Sequence, residues 1–394
     1  MRIVSKLLGA ATAALAITAM VATPALADPP SGVTPKARDV VGVGSDTIQN
    51  VLDQFSVDYN KTHATGKLYS FDATNPTTGA MGDPIQLKAS TPKATCNIPR
   101  PDGSSAGITA LENTMATGGR PCIDFARSSR ARASTDPTTI SFINLAGDAV
   151  TVATQPGSNA PATLLTTAAL TGIYNCSITH WNQIPGNTGG SNAVISAFIP
   201  QNGSGTRSFF LGALGLTNPG SCVSSSATRA GAAGANDNTL QENEGVAPIL
   251  NKNKANVIFP FSVGKWIAEK FHSASCGTIA QCFADPTHCT PTGSQNKFGC
   301  NTAGTMVLNE INGTEPTRGS GANTTINPAF SASFTRLLFM VVNAPEGTIP
   351  AYLKPYFGPT GFTCNSKTSS TDLRNYGFLV LPKGGGPGTC GFAS

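Results

Sequence analysis

Three times along this chain a turn of glycine and hydroxyl residues runs into apolar positions at helical spacing. Gly44-Ser45-Asp46-Thr47 follows the β-branched run Val40 to Val43, and Ile48, Val51, Leu52, Phe55 and Tyr59 then recur at steps of three and four. Pro101-Asp102-Gly103-Ser104-Ser105-Ala106-Gly107 precedes Ile108, Leu111 and Met115. Asn202-Gly203-Ser204-Gly205-Thr206-Arg207 follows the apolar run Val194 to Ile199 and precedes Phe209, Phe210, Ala213 and Leu214. Each pattern predicts a helix opened by a turn. Ser45 or Asp46 is expected to cap the first, with Gln49 closing a capping box on Asp46. Strand-like runs alternate with helical ones throughout, which predicts an α/β fold with helices on both faces of a mixed sheet. A chain of 394 residues is long enough for two lobes, and no internal repeat or heptad is present.

Such turns carry a chemical implication. A helix start presents free backbone N–H groups and the positive end of its dipole, and hydroxyls beside them complete a site for an anion. The same residues also make ordinary surface turns. The glycines near Val43 suggest a dinucleotide fingerprint, but Thr47 stands where that pattern needs glycine, so a nucleotide is excluded there.

Composition narrows the compartment. Residues 1–27 read as a signal peptide: Arg2 and Lys6, an apolar stretch from Leu7 to Val21, then Ala25-Leu26-Ala27 before Asp28. No cysteine follows that cleavage site to take a lipid, and no second long apolar stretch occurs, so a secreted, extracytoplasmic protein is expected. Its ten cysteines (Cys96, Cys122, Cys176, Cys222, Cys276, Cys282, Cys289, Cys300, Cys364, Cys390) read as disulfides in an oxidising compartment. Sequence-local pairing gives Cys96–Cys122, Cys176–Cys222 and Cys364–Cys390. Cys282, His288 and Cys289 fit no standard zinc spacing, so no metal is expected. A net charge of +5 is spread along the chain and no basic run is interleaved with aromatics, which gives no case for nucleic acid. Arg130 and Arg132 read as a solvated charged edge, whereas Arg127 is a candidate anion-binding cation.

The order and spacing of these motifs resemble the phosphate-binding component of bacterial phosphate ABC importers, a family of periplasmic-type solute-binding proteins. Asn202 through Thr206 matches the family's "Asp-Gly-Ser-Gly-Thr" loop, and Gly103 through Gly107 is similar to its "Gly-Ser-Ser-Gly-Gly" loop. Ile123 through Ser129 is similar to "Val-Asp-Phe-Gly-Ala-Ser-Asp", and Leu170 through Trp181 to its Ile-Tyr…Trp landmark. The resemblance runs from about Val40 to about Trp266. It implies a two-lobed, type II periplasmic-binding-protein-like fold with the ligand cleft between lobes. Residues 38–148 plus 265–394 would form lobe 1, with a Cys-rich loopy insertion at about 272–325, and 149–264 lobe 2. It further implies an oxyanion ligand, phosphate first, held by Ser45, Asp46, Thr47, Ser104, Ser105, Arg127, Ser128, Ser129, Ser204, Gly205, Thr206 and Arg207. A membrane ABC permease would be the partner, the protein would be a monomer, and neither metal nor organic cofactor would be needed. Two positions depart from the family. Ser129 stands where an aspartate accepts the proton of hydrogen phosphate, and Pro200 where an arginine is expected. Asp46 and Arg207 are the candidate replacements.

Two other function classes are open. A secreted hydrolase would need a nucleophile and a base. However, Gly203-Ser204-Gly205 is not a nucleophile elbow, and His63, His180, His272 and His288 sit in no triad-like segment. Glu242 and Glu244 are conceivable as an acid pair, but read more simply as flanking a turn before Gly245. The other class is an interaction or scaffold protein that kept the binding fold without its ligand.

Overall fold

The computed structural model describes residues 28–29, 32–75, 81–89, 96–114, 120–226, 239–245, 254–272 and 303–394. The strands are β1 (Val40–Gly44), β2 (Leu68–Ser70), β3 (Pro84–Gln86), β4 (Asn97–Pro99), β5 (Phe125–Ser128), β6 (Ile140–Thr154), β7 (Ser196–Ala197), β8 (Val257–Ser262), β9 (Val307–Leu308), β10 (Thr317–Arg318), β11 (Thr325–Ile326), β12 (Thr335–Asn343) and β13 (Leu379–Val380). The main sheet has the order β2-β1-β5-β12-β6-β8-β7, with β9 and β13 also pairing with β6. It is mixed: β1 runs parallel to β2 and β5, β12 antiparallel to β5 and β6, and β8 antiparallel to β6 but parallel to β7.

Strand β6 organises the molecule. All 15 of its residues are buried, as expected of a strand covered on both faces. Ile140 to Ala149 pair with β12, and Val150 to Ala153 pair with β8, so one strand serves two bodies. Around its first half lie two apolar clusters, one on each face of the sheet. Val40, Phe55, Phe125, Leu338 and Phe357 mark one, and Val41, Tyr69, Ile108, Phe142 and Phe339 the other. Around its second half lie Leu170, Tyr174, Trp181 and Phe210 on one face and Phe259, Phe261 and Met306 on the other. Ile311, Ile326, Phe330 and Phe334, expected with lobe 1, pack with Trp181 and Phe210 instead.

The helices that matter here are α1 (Gln49–Thr62), α2 (Ser104–Asn113), α3 (Thr167–Tyr174) and α4 (Gly205–Ala213). In each, the apolar positions read from the sequence face a core: Val51, Leu52 and Phe55 in α1, Ile108 and Leu111 in α2, Phe210 in α4. Met115 lies outside the described residues. The capping box expected on α1 does not form. Ser45 and Asp46 make no cap hydrogen bond, and Gln49 Oε1 accepts instead from Ala73 N at 3.0 Å. Ser204 does cap α4, accepting from Arg207 N at 3.0 Å.

Three of the expected disulfides are formed: Cys96–Cys122, Cys176–Cys222 and Cys364–Cys390. Cys276, Cys282, Cys289, Cys300 and His288 lie outside the described residues, as does the expected signal peptide. Among the described residues no helix is long and apolar enough to cross a membrane.

Candidate functional site

The ends of β1 and β5 and the starts of α2 and α4 meet at one point. Gly103 and Gly203 make the approach possible. Both have positive φ, and a Cβ on Gly103 would lie 2.9 Å from Gly203 O. Ser105 N donates to Gly203 O at 3.0 Å, a direct backbone link between the two loops. Gly205 is pressed as closely, with a Cβ there falling 2.3 Å from the hydroxyls of both Ser104 and Ser129.

At the centre lies a side chain, the carboxylate of Glu242, 2% exposed. Its Oε2 accepts from Ser45 Oγ and Thr47 Oγ1, both at 2.8 Å. Its Oε1 accepts from Ser204 Oγ at 2.7 Å, Thr206 N at 3.0 Å and Ser129 Oγ at 3.3 Å. Ser45, Thr47 and Ser129 come from the β1 and β5 side, Ser204 and Thr206 from the α4 side. The hydroxyls also touch one another: Ser45 and Ser129 Oγ are 3.1 Å apart, and Thr47 and Thr206 Oγ1 3.4 Å. Ser104 forms a supporting layer, its Oγ accepting from Ser129 N at 2.9 Å.

The sequence places Glu242 there through its neighbours. Leu240 is buried against Phe259 and Phe261, and Gln201 N donates to Leu240 O at 2.9 Å. Asn243 takes the left-handed conformation that asparagine tolerates (φ 58°). Its amide spans the cleft, donating to Thr47 Oγ1 at 3.1 Å and accepting from Ser262 N at 3.0 Å.

The charges follow from this geometry. Burial alone would raise the Glu242 carboxyl, but hydrogen bonds from Asp46, Ser204 and Thr206 N, together with the Arg336 charge, hold it at about 2. Burial first, then the Glu242 charge, push Asp46 well above the usual carboxylate range. The pair therefore shares one proton, with Asp46 as the donor. Asp102 is raised to about 7 by burial and by Glu242.

Arg336, not singled out in the sequence, supplies the cation. It begins β12 opposite Asp148 of β6, and its Nε and Nη2 donate to Asp148 Oδ2 at 3.0 and 2.8 Å. Nη1 donates to Ser129 O at 2.9 Å and Nη2 to Thr206 Oγ1 at 3.1 Å. Asp148 also accepts from Ser262 Oγ and Gly264 N, tying β8 to the same node. No local pattern marks Arg336 or Asp148, which are 188 residues apart. Glu242 carried a faint signal, as one of two acidic residues before Gly245.

Of the expected site residues, Ser45, Asp46, Thr47, Ser129, Ser204 and Thr206 line the cradle directly, with Ser104 and Gly205 packed against it. Four point elsewhere. Arg127 spends its guanidinium on Ser45 O, Gly44 O and Ser70 Oγ. Arg207 donates to Pro200 O at 2.9 Å. Ser128 exchanges hydrogen bonds with the Arg130 backbone, and Ser105 Oγ accepts from Arg130 Nε. Arg130, expected on a solvated edge, is paired in bidentate fashion with Asp136. The described histidines do other work: His63 stacks on Tyr59, and His180 shares a hydrogen bond with Thr179.

A two-lobed α/β frame whose strand ends and helix start converge on one oxyanion group defines a class, the periplasmic-type solute-binding proteins. The chain belongs to the PBP superfamily: a family profile described as "PBP superfamily domain" matches residues 29–258. No curated protein sequence matches it significantly. Two solved structures share the fold. An ABC-type phosphate transport receptor from Vibrio cholerae is 15% identical with a TM-score of 0.50, covering 87% of this chain and 100% of its own. A putative phosphate ABC transporter substrate-binding protein with bound phosphate, from Clostridium perfringens, is 13% identical with a TM-score of 0.51 and the same coverage. The fold is therefore that of the phosphate receptors of ABC importers, and the family consists of binding proteins rather than enzymes.

Proposed function

We propose that this protein is a secreted receptor that captures an oxyanion, phosphate first, between its two lobes and passes it to an ABC permease. The observation that carries this reading is the cradle itself. Four hydroxyls and one backbone N–H from opposite sides converge on one anionic group. Hydrogen bonds to a charged group contribute about 1.5–3 kcal/mol each, so such a set suits a micromolar ligand after desolvation and closure are counted. An anion bridging both sides favours the closed state, which is how a two-lobed receptor responds to its ligand. With phosphate in the cradle, Asp46 is placed to accept the proton of the hydrogen-phosphate form in place of the aspartate that Ser129 replaces. Arg336 supplies the positive field that Pro200 cannot. Export by the expected signal peptide and a monomeric state belong to the same reading.

Isothermal titration of ligand-free protein with phosphate and then sulfate, from pH 5 to 8, tests it. Binding that favours phosphate and disappears in Ser204→Ala is expected. No heat with either anion, in the natural chain and in a Glu242→Ala variant alike, would overturn the reading. One observation favours a second reading: a side chain of the protein already satisfies the cradle. Under it the chain is an interaction protein that keeps the binding fold closed around its own carboxylate.

A further inference from the structure

We infer that Glu242 is a built-in competitor of the ligand, so that a free oxyanion enters the cradle only after this carboxylate has left it. The inference rests on the oxyanion reading above and adds the residue that sets how tightly, and when, the site is available.

The geometry leaves little room for any other role. The two Glu242 oxygens stand where two oxygens of a tetrahedral anion would receive the same donors. Oε2 takes the hydroxyls of Ser45 and Thr47, and Oε1 those of Ser204 and Ser129 with the Thr206 N–H. The donors lie on both sides of the cleft, so Glu242 bridges the lobes as a captured ligand does. A hydroxyl or N–H already donating to a carboxylate is not available to a second anion. A second charge would also meet Glu242 itself and the neighbouring acids Asp46, Asp102 and Asp148, while Arg336 remains engaged with Asp148. Ligand and side chain are therefore mutually exclusive.

Tethering gives Glu242 its advantage. A group carried on the same chain acts at a high effective concentration and pays no association entropy. Conversely, the apparent affinity of a free anion falls by the fraction of molecules whose cradle is vacant. The tether is short and well fixed. Asn243, the next residue, is held by Ser262 N and donates to Thr47 Oγ1, and two residues before it Leu240 is buried against Phe259 and Phe261. Glu242 thereby sets a threshold: the receptor stays closed on itself at low anion concentration and opens to ligand at high concentration.

The experiment is phosphate titration of the natural chain, Glu242→Ala and Glu242→Gln, with circular dichroism and thermal melting to confirm folding. Glu242→Ala is expected to bind phosphate about 100-fold more tightly than the natural chain, which corresponds to a cradle vacant in about 1% of molecules. Glu242→Gln removes the charge but keeps an acceptor, so it should fall between the two. It also keeps the test valid if the alanine variant fails to fold. In Glu242→Ala/Ser204→Ala the gained affinity should vanish, which assigns it to this cradle. Equal affinity in the natural chain and both variants would overturn the competitor role and leave the receptor reading intact. Folded variants that bind no better than a natural chain without measurable binding would overturn both.

Discussion

Two buried arginines border the cradle, and they do opposite jobs. Arg127, at the end of β5, belongs to the best-matched sequence motif, yet its fork turns back to hold the carbonyls of Gly44 and Ser45. It shapes the loop. Arg336, far along the chain in β12, joins Asp148 of the crossing strand to Ser129 on one side and Thr206 on the other. It couples the lobes. The lesson is geometric. A residue's place in a motif fixes its backbone position, while the phase of its strand decides whether the side chain faces the ligand or the frame.

The comparison is broken most sharply at Arg336. Arg336→Ala leaves Asp148 buried without its charge partner and should cost about 3–5 kcal/mol in chemical denaturation, as breaking buried pairs does. Replacing Asp148 by Asn in the same chain should return part of that loss. A cost below 1 kcal/mol would mean that the pair does not tie the lobes together. Arg127→Met comes next, at about 2–3 kcal/mol, because it orphans buried carbonyl acceptors rather than baring a full charge. Its acidic neighbours Asp53 and Asp72 are both raised by burial first, so they neutralise instead of standing exposed as anions.

A third measurement separates the cradle from its rim. The Asp102 carboxyl is raised to about 7 in the folded chain, so between about pH 4 and about pH 7 the folded state holds a proton that the unfolded state has released. This group's contribution to stability therefore falls as pH rises through that window. Asp102→Asn should flatten the slope of melting temperature against pH there, and an unchanged slope would remove Asp102 from the electrostatics of the site. The smallest effect is expected at Arg207. Arg207→Ala loses one hydrogen bond to Pro200 O, about 0.5–1.5 kcal/mol, and should leave phosphate affinity unchanged. A large loss of affinity there would restore it as the ligand's cation.

Much of the frame was legible because its signals are local. The three glycine turns, the apolar faces of α1, α2 and α4, the Ser204 cap and three sequence-local disulfides each depend on residues a short distance apart. What was not legible depends on distance. Ser45 meets Glu242 across 197 positions and Arg336 meets Asp148 across 188, and no spacing rule reaches that far. The capping box on α1 was misread for a related reason. Ser45 and Asp46 have the chemistry of a cap, but a buried carboxylate from elsewhere in the chain outbids the local N–H groups for them.

Strand β6 carries a consequence for how the molecule comes apart. Lobes joined by loose linkers melt as separate units, each with its own calorimetric peak. Here the joining strand is fully buried for its whole length and is hydrogen-bonded to β12 in one body and β8 in the other. Neither half can lose its structure without exposing the strand that completes the other's core. Heat should therefore take the whole protein down in one cooperative step, with the calorimetric and van't Hoff enthalpies in agreement.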